Sequence, residues 1–353
     1  MCKISANIQT PFLTYQQRIR AFVGLGRRLQ ELLDHSSDTQ SVFYEVITRA
    51  NHENVWFTPD FCLLSLQQIC NWLNESDLKS FIEPYVNSQN QPRSRQVAVI
   101  CAGNIPLVGF HDILCVLLSG NILVIKPSQE DRVLPLFILQ LLVQVEPGLE
   151  SFIRIAQPPL KNFDAVIATG SSSSARQFEY YFAKFPRIVR KSRSSIAILE
   201  GSESETELIA LMNDVLCYFG LGCRSVKLIC FPESFDIQKL FKAALSFERL
   251  MAHHGYMNQY EYQRSLLLLE SKPFLENNFL IFTASDQIFA PMGVVNYKRY
   301  KTKEEINRFI ESHNESLQCI VSHQHTSFGQ SQFPKLNDFA DGVDTLLFLT
   351  NLS

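Results

Sequence analysis

The chain has 353 residues, 46% of them apolar and 19% charged, so it can bury more than one core. Its 32 basic and 35 acidic residues leave a net charge of -3 with no polybasic run, which argues against nucleic acid or an anionic membrane as the main partner. Nine scattered cysteines without a Cys-x-x-Cys pair argue against a disulfide framework or a zinc cage and for a reducing cytosol.

The opening Met1-Cys2-Lys3-Ile4-Ser5 has no basic stretch running into an apolar core, so no secretory signal is expected. Apolar runs such as Leu134 to Val145 are too short to span a bilayer. From Tyr15 to Asp34, apolar residues (Ile19, Phe22, Val23, Leu25, Leu29, Leu32, Leu33) recur at helical spacing, and helical segments follow near Ser41 to Arg49 and Phe61 to Leu73. Gly24-Leu25-Gly26 lacks a preceding strand and a third glycine, so it is not a dinucleotide fingerprint. The polar stretch Asn87 to Arg95 reads as a linker or exposed loop.

Beyond it strands and helices alternate. Val97 to Cys101 and Asn121 to Ile125 are expected as buried strands, with a helix over Leu107 to Ser119 between them. A helix near Arg132 to Val145 and strands at Phe152 to Ala156 and Phe163 to Thr169 follow. Short aliphatic strands separated by helices imply a parallel sheet covered on both faces, whose ligands sit in the turns at the strands' carboxyl ends.

Three such turns carry distinctive side chains: Gly103 to Pro106, Lys126-Pro127-Ser128, and Thr169-Gly170-Ser171-Ser172. The last opens a helix, where free N–H groups and hydroxyls suit phosphate oxygens but equally suit N-capping. Lys126 ends a strand, placed either to reach a ribose or phosphate or simply to be solvated. The basic residues Arg187, Arg190, Lys191 and Arg193 read as a solvated face or as contacts for an anion.

A helix is expected over Ser204 to Phe219, then Gly220-Leu221-Gly222-Cys223-Arg224, then a strand at Lys227 to Phe231. Glycine admits backbone geometries that side chains forbid, so Cys223 can stand in a tight turn with its thiol in a cleft. Arg224 and Lys227 would favour the thiolate if their charged ends lie close. The competing reading is a buried structural thiol. Cys101, Cys217 and Cys230 have apolar neighbours and are expected in the core.

Helices are expected near Asp236 to Leu245 and Glu248 to Leu269, and strands at Phe279 to Phe282, Val294 to Tyr300 and Cys319 to Ser322. Thr302 with Glu305 marks a capping box. His253-His254 and His323-Gln324-His325 lack acid or cysteine partners at ligand spacing, so no metal site is expected. His111 follows the Asn104 turn closely enough to approach a site there, or is a satisfied histidine.

In order and spacing these motifs resemble the aldehyde dehydrogenase superfamily, and more closely its acyl-CoA reductases of the bacterial luminescence type, over roughly Val97 to Val321. The matching residues are Gly103-Asn104-Ile105-Pro106, Lys126-Pro127-Ser128, Thr169-Gly170-Ser171, Gly220-Leu221-Gly222-Cys223-Arg224 and Ile288-Phe289-Ala290-Pro291. The resemblance implies an α/β fold with two parallel-sheet domains and a helical N-terminal layer. The expected divisions are 1–94 for the layer, 95–218 for dinucleotide binding, 219–325 for the catalytic domain and 326–353 for a tail packed back on the fold.

It further implies that Cys223 forms a thioester with the acyl group, while Asn104 and the Cys223 N–H receive the acyl oxygen. Lys126 and Ser128 would hold the adenine ribose. Thr169, Gly170 and Ser171 would lie by the pyrophosphate and nicotinamide, Gln287 by the nicotinamide ribose and Phe289 by the ring.

Hydrolytic relatives carry a water-activating glutamate where this chain reads Arg187-Ile188-Val189-Arg190-Lys191-Ser192, and an acid where it has Gln287. The resemblance thus implies a cytoplasmic NADPH-dependent reductase, with NADH an option, acting on an acyl-CoA or acyl-carrier thioester. Oxidation of an aldehyde to the acid, favoured if an acid such as Glu200 stood beside Cys223, and a catalytically silent binding relative are the alternatives. The short chain leaves a homo-oligomer open.

Overall fold

The computed structural model describes residues 13–85 and 94–352. The opening pentapeptide and most of the stretch from Asn87 to Arg95 lie outside them. The described chain forms two compact units: 1–54 with 58–191 and 335–353, and 55–57 with 192–334.

The first unit opens on four helices, α1 (Tyr15–Asp34), α2 (Val42–Glu53), α3 (Pro59–Trp72) and α4 (Glu75–Ile82). Each begins where a side-chain oxygen takes a free N–H of the first turn: Thr14, Ser41, Thr58 and Asn74 are the caps. Gln17 completes a capping box on Thr14. Ile19, Phe22, Leu25 and Leu29 form the buried face of α1, as their spacing predicts.

There follow β1 (Gln96–Ile100), α5 (Phe110–Leu118), β2 (Ile122–Lys126), α6 (Val133–Val145), β3 (Ile153–Ile155), β4 (Ala165–Thr169), α7 (Ser172–Tyr181) and β5 (Arg187–Arg190). All five strands are parallel, in the order β3-β2-β1-β4-β5. Val97, Ala98, Val99, Leu123, Ile125 and Ala165 to Ala168 are buried, as a sheet covered on both faces requires. Strand order reverses between β1 and β4, so the loops leaving these two strands flank the crevice where such sheets bind ligands.

The second unit runs through β6 (Ser194–Ile198), α8 (Glu205–Leu216), β7 (Val226–Pro232), α9 (Gln238–Ala244), α10 (His254–Leu269), β8 (Leu275–Glu276), β9 (Ile281–Ala284), β10 (Val294–Tyr300), α11 (Lys303–His313) and β11 (Leu317–Val321). Its sheet order is β11-β6-β7-β10-β9-β8, parallel except for the short β8–β9 pair. The chain then returns to the first unit, where α12 (Thr345–Thr350) packs on α5.

The division between units falls after Lys191, not near 218, because β6 pairs with β7 and β11 and so carries 192–218 into the second sheet. The helical layer likewise belongs to the first unit, apart from 55–57. α8 stops at Leu216 instead of Phe219, because Tyr218 and Phe219 take φ of 52° and 55°, which a right-handed helix cannot contain. Glu248 to Leu269 is a 3-10 segment (Leu245–Ala252) followed by α10. At α11, Glu305 receives the Lys301 N–H, so Thr302 caps without the reciprocal bond of a capping box.

Candidate active site

In the first unit, Asn104, Lys126 and Thr169 lie at or just after the carboxyl ends of β1, β2 and β4, three neighbouring strands. Asn104 and Lys126 are exposed, and Lys126 forms no ion pair among the described residues. The turns after β1 and β2 touch at Gly103, where a Cβ would stand 2.5 Å from Ser128 Oγ and 2.8 Å from Glu130 Cβ. Only glycine fits there without displacing the second turn. Ser171 is the N-cap of α7 and takes the Ser174 N–H at 3.2 Å, with the hydroxyls of Ser173 and Ser174 at 2.8 and 3.0 Å.

Beyond Asn104 the backbone reverses at Leu107, which holds a φ of 59° although it is not glycine. Such a conformation costs about 1–2 kcal/mol for a residue with a side chain. The Leu107 N–H donates to Asp131 Oδ2 at 2.6 Å and its carbonyl accepts the Phe110 N–H at 2.9 Å, just as α5 begins. Asp131 comes from the loop between β2 and α6, so it joins the Lys126 loop to the Asn104 loop.

In the second unit, Cys223 follows three left-handed residues, Tyr218, Phe219 and Gly220. The Phe219 ring is held by Trp56, His253 and Tyr256, at 5.3, 4.5 and 5.7 Å between centroids. The Ser225 N–H donates to the Gly222 carbonyl at 3.1 Å, closing a β-turn with Cys223 at its second position. Gly222 C=O and Cys223 N–H share one peptide plane, so this bond orients the cysteine N–H. The Cys223 carbonyl is fixed as well, by the Ser195 hydroxyl at 2.9 Å.

Ser195 in turn accepts the Cys319 N–H at 3.2 Å, and its neighbour Ser194 donates to the Ile288 carbonyl. Two consecutive serines at the start of β6 therefore tie both the Cys223 turn and the Gln287–Phe289 loop to one strand end. Asn296 donates to the carbonyls of Gln287 and Phe289 at 2.7 and 3.1 Å. Gln287 is exposed and Phe289 half exposed.

The sequence reading passed over Asp131, Ser194, Ser195 and Asn296. The available signal was a polar residue inside an apolar strand or just past one, which local patterning treats as ordinary.

Cys223 is the one exposed cysteine among the eight described. Burial pushes the thiols of Cys62, Cys70, Cys101, Cys217 and Cys230 up to about 12, and Cys115 well above its ordinary value. These are inert at neutral pH, because the thiolate is the reactive form.

Lys227 does not stand as an ion partner in this turn. Its ammonium lies under Gly220, 2.9 Å from where a Cβ would be, near the Val215 carbonyl at the end of α8, and burial lowers it to about 8. Lys227 is also the extra residue of a bulge, since Ser195 pairs with Val226 and Ile196 with Leu228.

Other expectations resolve differently. Arg190 is neither solvated nor turned to a ligand: it is buried, paired with Asp112 and bonded to Thr345 Oγ1 at 2.9 Å. Arg187 pairs with Glu179. Glu200 engages Lys303 at 3.2 Å and His323 at 3.6 Å. The Lys303 contact, first among its causes, holds it below the usual carboxylate range.

His111 reaches the Leu336 carbonyl at 2.8 Å amid Trp72, Phe81 and Phe339, so its ring is already engaged within the fold. Among the described residues no group of three or more His, Cys, Asp or Glu could hold a metal ion. No helix among them is long and apolar enough to cross a membrane.

The comparisons agree with this architecture. Residues 82–246 match the family described as acyl-CoA reductase (LuxC). The chain has the aldehyde dehydrogenase fold. An aldehyde dehydrogenase of Mycobacterium tuberculosis complexed with NAD+ is similar in fold, with a TM-score of 0.62 at 16% identity, covering 86% of this chain and 72% of that one. A salicylaldehyde dehydrogenase of Pseudomonas putida G7 complexed with salicylaldehyde gives 0.63 at 13% identity, covering 88% and 73%. No curated protein matches by sequence. The segment matched by that family takes in Asn104, Lys126, Ser128, Thr169 to Ser171 and Cys223. By the two-unit division, Asn104 and the strand-end turns belong to one unit, and Cys223, Gln287 and Phe289 to the other.

Proposed function

We propose that the chain reduces a fatty acyl thioester, carried on CoA or on a carrier thiol, to the aldehyde through an acyl-Cys223 intermediate, with NADPH as reductant. The observation that carries this reading is the one exposed thiol among the described residues, held on a β-turn whose backbone is pinned on both sides, by Ser225 and Ser195, while the thiols of six other cysteines are driven out of reactivity by burial. A nucleophile needs a fixed approach and an open face, and a structural thiol needs neither.

A nicotinamide dinucleotide fits the residues of the first unit. The Lys126 ammonium is exposed without an ion pair among the described residues, Gly103 lets the turn carrying Ser128 pack directly on the turn carrying Asn104, and three serine hydroxyls cluster at the start of α7. Lys126 and Ser128 would hold the ribose, Thr169, Gly170 and Ser171 the phosphates, with Gln287 and Phe289 assigned to the nicotinamide end. When bound in reduced form, the group supplies a hydride.

The Cys223 thiolate attacks the thioester carbonyl carbon, forming a new C–S bond as the C–S bond to the carrier thiol breaks and that thiolate leaves. Asn104 and the Cys223 N–H are the proposed donors to the oxygen, which gains charge as the carbon becomes tetrahedral. After hydride addition to the acyl carbon, the Cys223–carbon bond breaks, releasing the aldehyde and restoring the thiolate. No acid occurs in Arg187–Arg190, and Glu200 is held by Lys303 and His323, which supports reduction over hydrolysis of the acyl-enzyme.

Incubation with an acyl-CoA and no reductant tests this by mass spectrometry. The expected result is one acyl adduct, on Cys223, discharged as aldehyde when NADPH is added. Discharge as the free acid would favour an aldehyde-oxidising enzyme. An unlabelled Cys223, or a label on another cysteine, would overturn the mechanism.

A further inference from the structure

The least expected group in the first unit is Asp131. The residue is 3% exposed, one carboxyl oxygen accepts the Leu107 N–H, and the other, Oδ1, has no hydrogen-bond partner among the described residues. An asparagine could accept the same N–H without bringing a charge into the interior. A buried carboxyl left half satisfied is costly, so its presence calls for an explanation.

Its hydrogen-bond partner among the described residues is the left-handed residue of the turn that carries Asn104. We propose that Asp131 is a positioning residue for the Asn104 turn, gripping Leu107 more firmly when ionised than when protonated. The role assigned to Asn104 rests on the reductase reading; the grip on Leu107 does not.

The physical argument has two parts. A hydrogen bond to an ionised acceptor is roughly twice as strong as one between neutral groups, so proton uptake weakens the hold on a strained backbone. Burial, opposed only by the Leu107 bond, pushes the Asp131 carboxyl up to about 7, so that uptake falls near neutrality. The titratable groups that sense its charge are the thiols of Cys62 on α3 and Cys101 after β1. Both are pushed up to about 12, by burial first, and both therefore stay neutral across this range. Among the described residues no basic side chain offsets it.

The test uses the full chain and two readouts. Hydrogen exchange over the segment from Asn104 to Phe110, corrected for intrinsic rate, should show protection in the parent protein that weakens several-fold as pH falls from 8 to 6. Asp131→Asn should keep protection with no pH dependence. Asp131→Leu should lose it about tenfold, and adding Leu107→Gly should restore much of it, because glycine accepts the left-handed backbone unaided.

In turnover, kcat of the parent should fall below about pH 7, and that limb should flatten in Asp131→Asn, while KM for the thioester stays within about twofold. Equal exchange and equal pH profiles in the parent and Asp131→Asn would overturn the proposal, and this variant serves if Asp131→Leu does not fold. If exchange behaves as described but no variant, nor the parent, turns over thioester, the reductase reading fails and the grip on Leu107 stands. If thioester is turned over with an acid limb unchanged in Asp131→Asn, the reverse holds.

Discussion

The two turns that carry the candidate chemistry are held by different physics. Leu107 in the first unit is left-handed and gripped by a buried carboxylate, with a second buried acid, Asp112, following at once on α5 and paired with Arg190. Tyr218, Phe219 and Gly220 in the second unit are also left-handed, but they are held by packing and a hydroxyl: the rings of Trp56, His253 and Tyr256 around Phe219, and the Ser195 hydroxyl on the Cys223 carbonyl. The difference teaches that strain can be stored in similar local conformations yet answer to different conditions. A charged clamp responds to protons, and a packed one responds to volume.

That contrast can be broken most sharply at Cys223. Replacement by alanine should abolish the acyl adduct and lower turnover by on the order of 10⁴-fold or more, measured by aldehyde release, while leaving NADPH binding to the first unit within about twofold. A loss of both would mean that the two turns are not separable in function.

Next in size is the ion pair of the first unit. Burial alone would lower the Arg190 guanidinium, and Asp112 outweighs it and holds the group charged. Asp112→Ala should destabilise the chain by about 3–5 kcal/mol in urea, because Arg190 is left as a buried, unpaired cation. Replacing Asp112 and Arg190 together with apolar residues of similar volume should recover most of that loss.

Ser195→Ala should lower the rate of Cys223 acylation by roughly ten- to a hundredfold, with little change in KM. The substitution removes the hydroxyl that donates to the Cys223 carbonyl and accepts the Cys319 N–H, a cost of about 1–3 kcal/mol. Stopped-flow release of CoA measures it, and Ser195→Thr, which keeps the hydroxyl, should recover part of the rate. An unchanged acylation rate in Ser195→Ala would show that this hydroxyl does not position the nucleophile.

The smallest effect is expected at Lys227, and it has a definite sign. A lysine lowered to about 8 in the fold, against 10.5 when free, binds its proton more weakly when folded. The fold therefore carries a penalty below pH 8 that is relieved between about 8 and 10.5. Lys227→Met should be more stable than the parent at pH 7 and lose that advantage by about pH 10.5, as read by thermal denaturation. The first unit's turn runs the other way in a different window. Asp131, raised from 3.8 to about 7, adds stability in acid that is lost as pH rises to 7.

Much of this molecule was legible from local pattern. The alternating strands and helices, the parallel sheets and the glycine-flanked cysteine all follow from periodicities of two to four residues and from the backbone freedom of glycine. The order of the short motifs was enough to point to the fold.

What tertiary structure alone decided lies at long range. The bond from Leu107 to Asp131 spans 24 residues, that from Ser195 to Cys223 spans 28, and that from Cys319 to Ser195 spans 124. Whether Arg190 meets water, a ligand or Asp112, 78 residues away, likewise depends on which strand edge it ends on. Propensity and spacing describe how a segment folds against its own neighbours. The partner of a buried polar atom is chosen by how the sheets bring distant segments together.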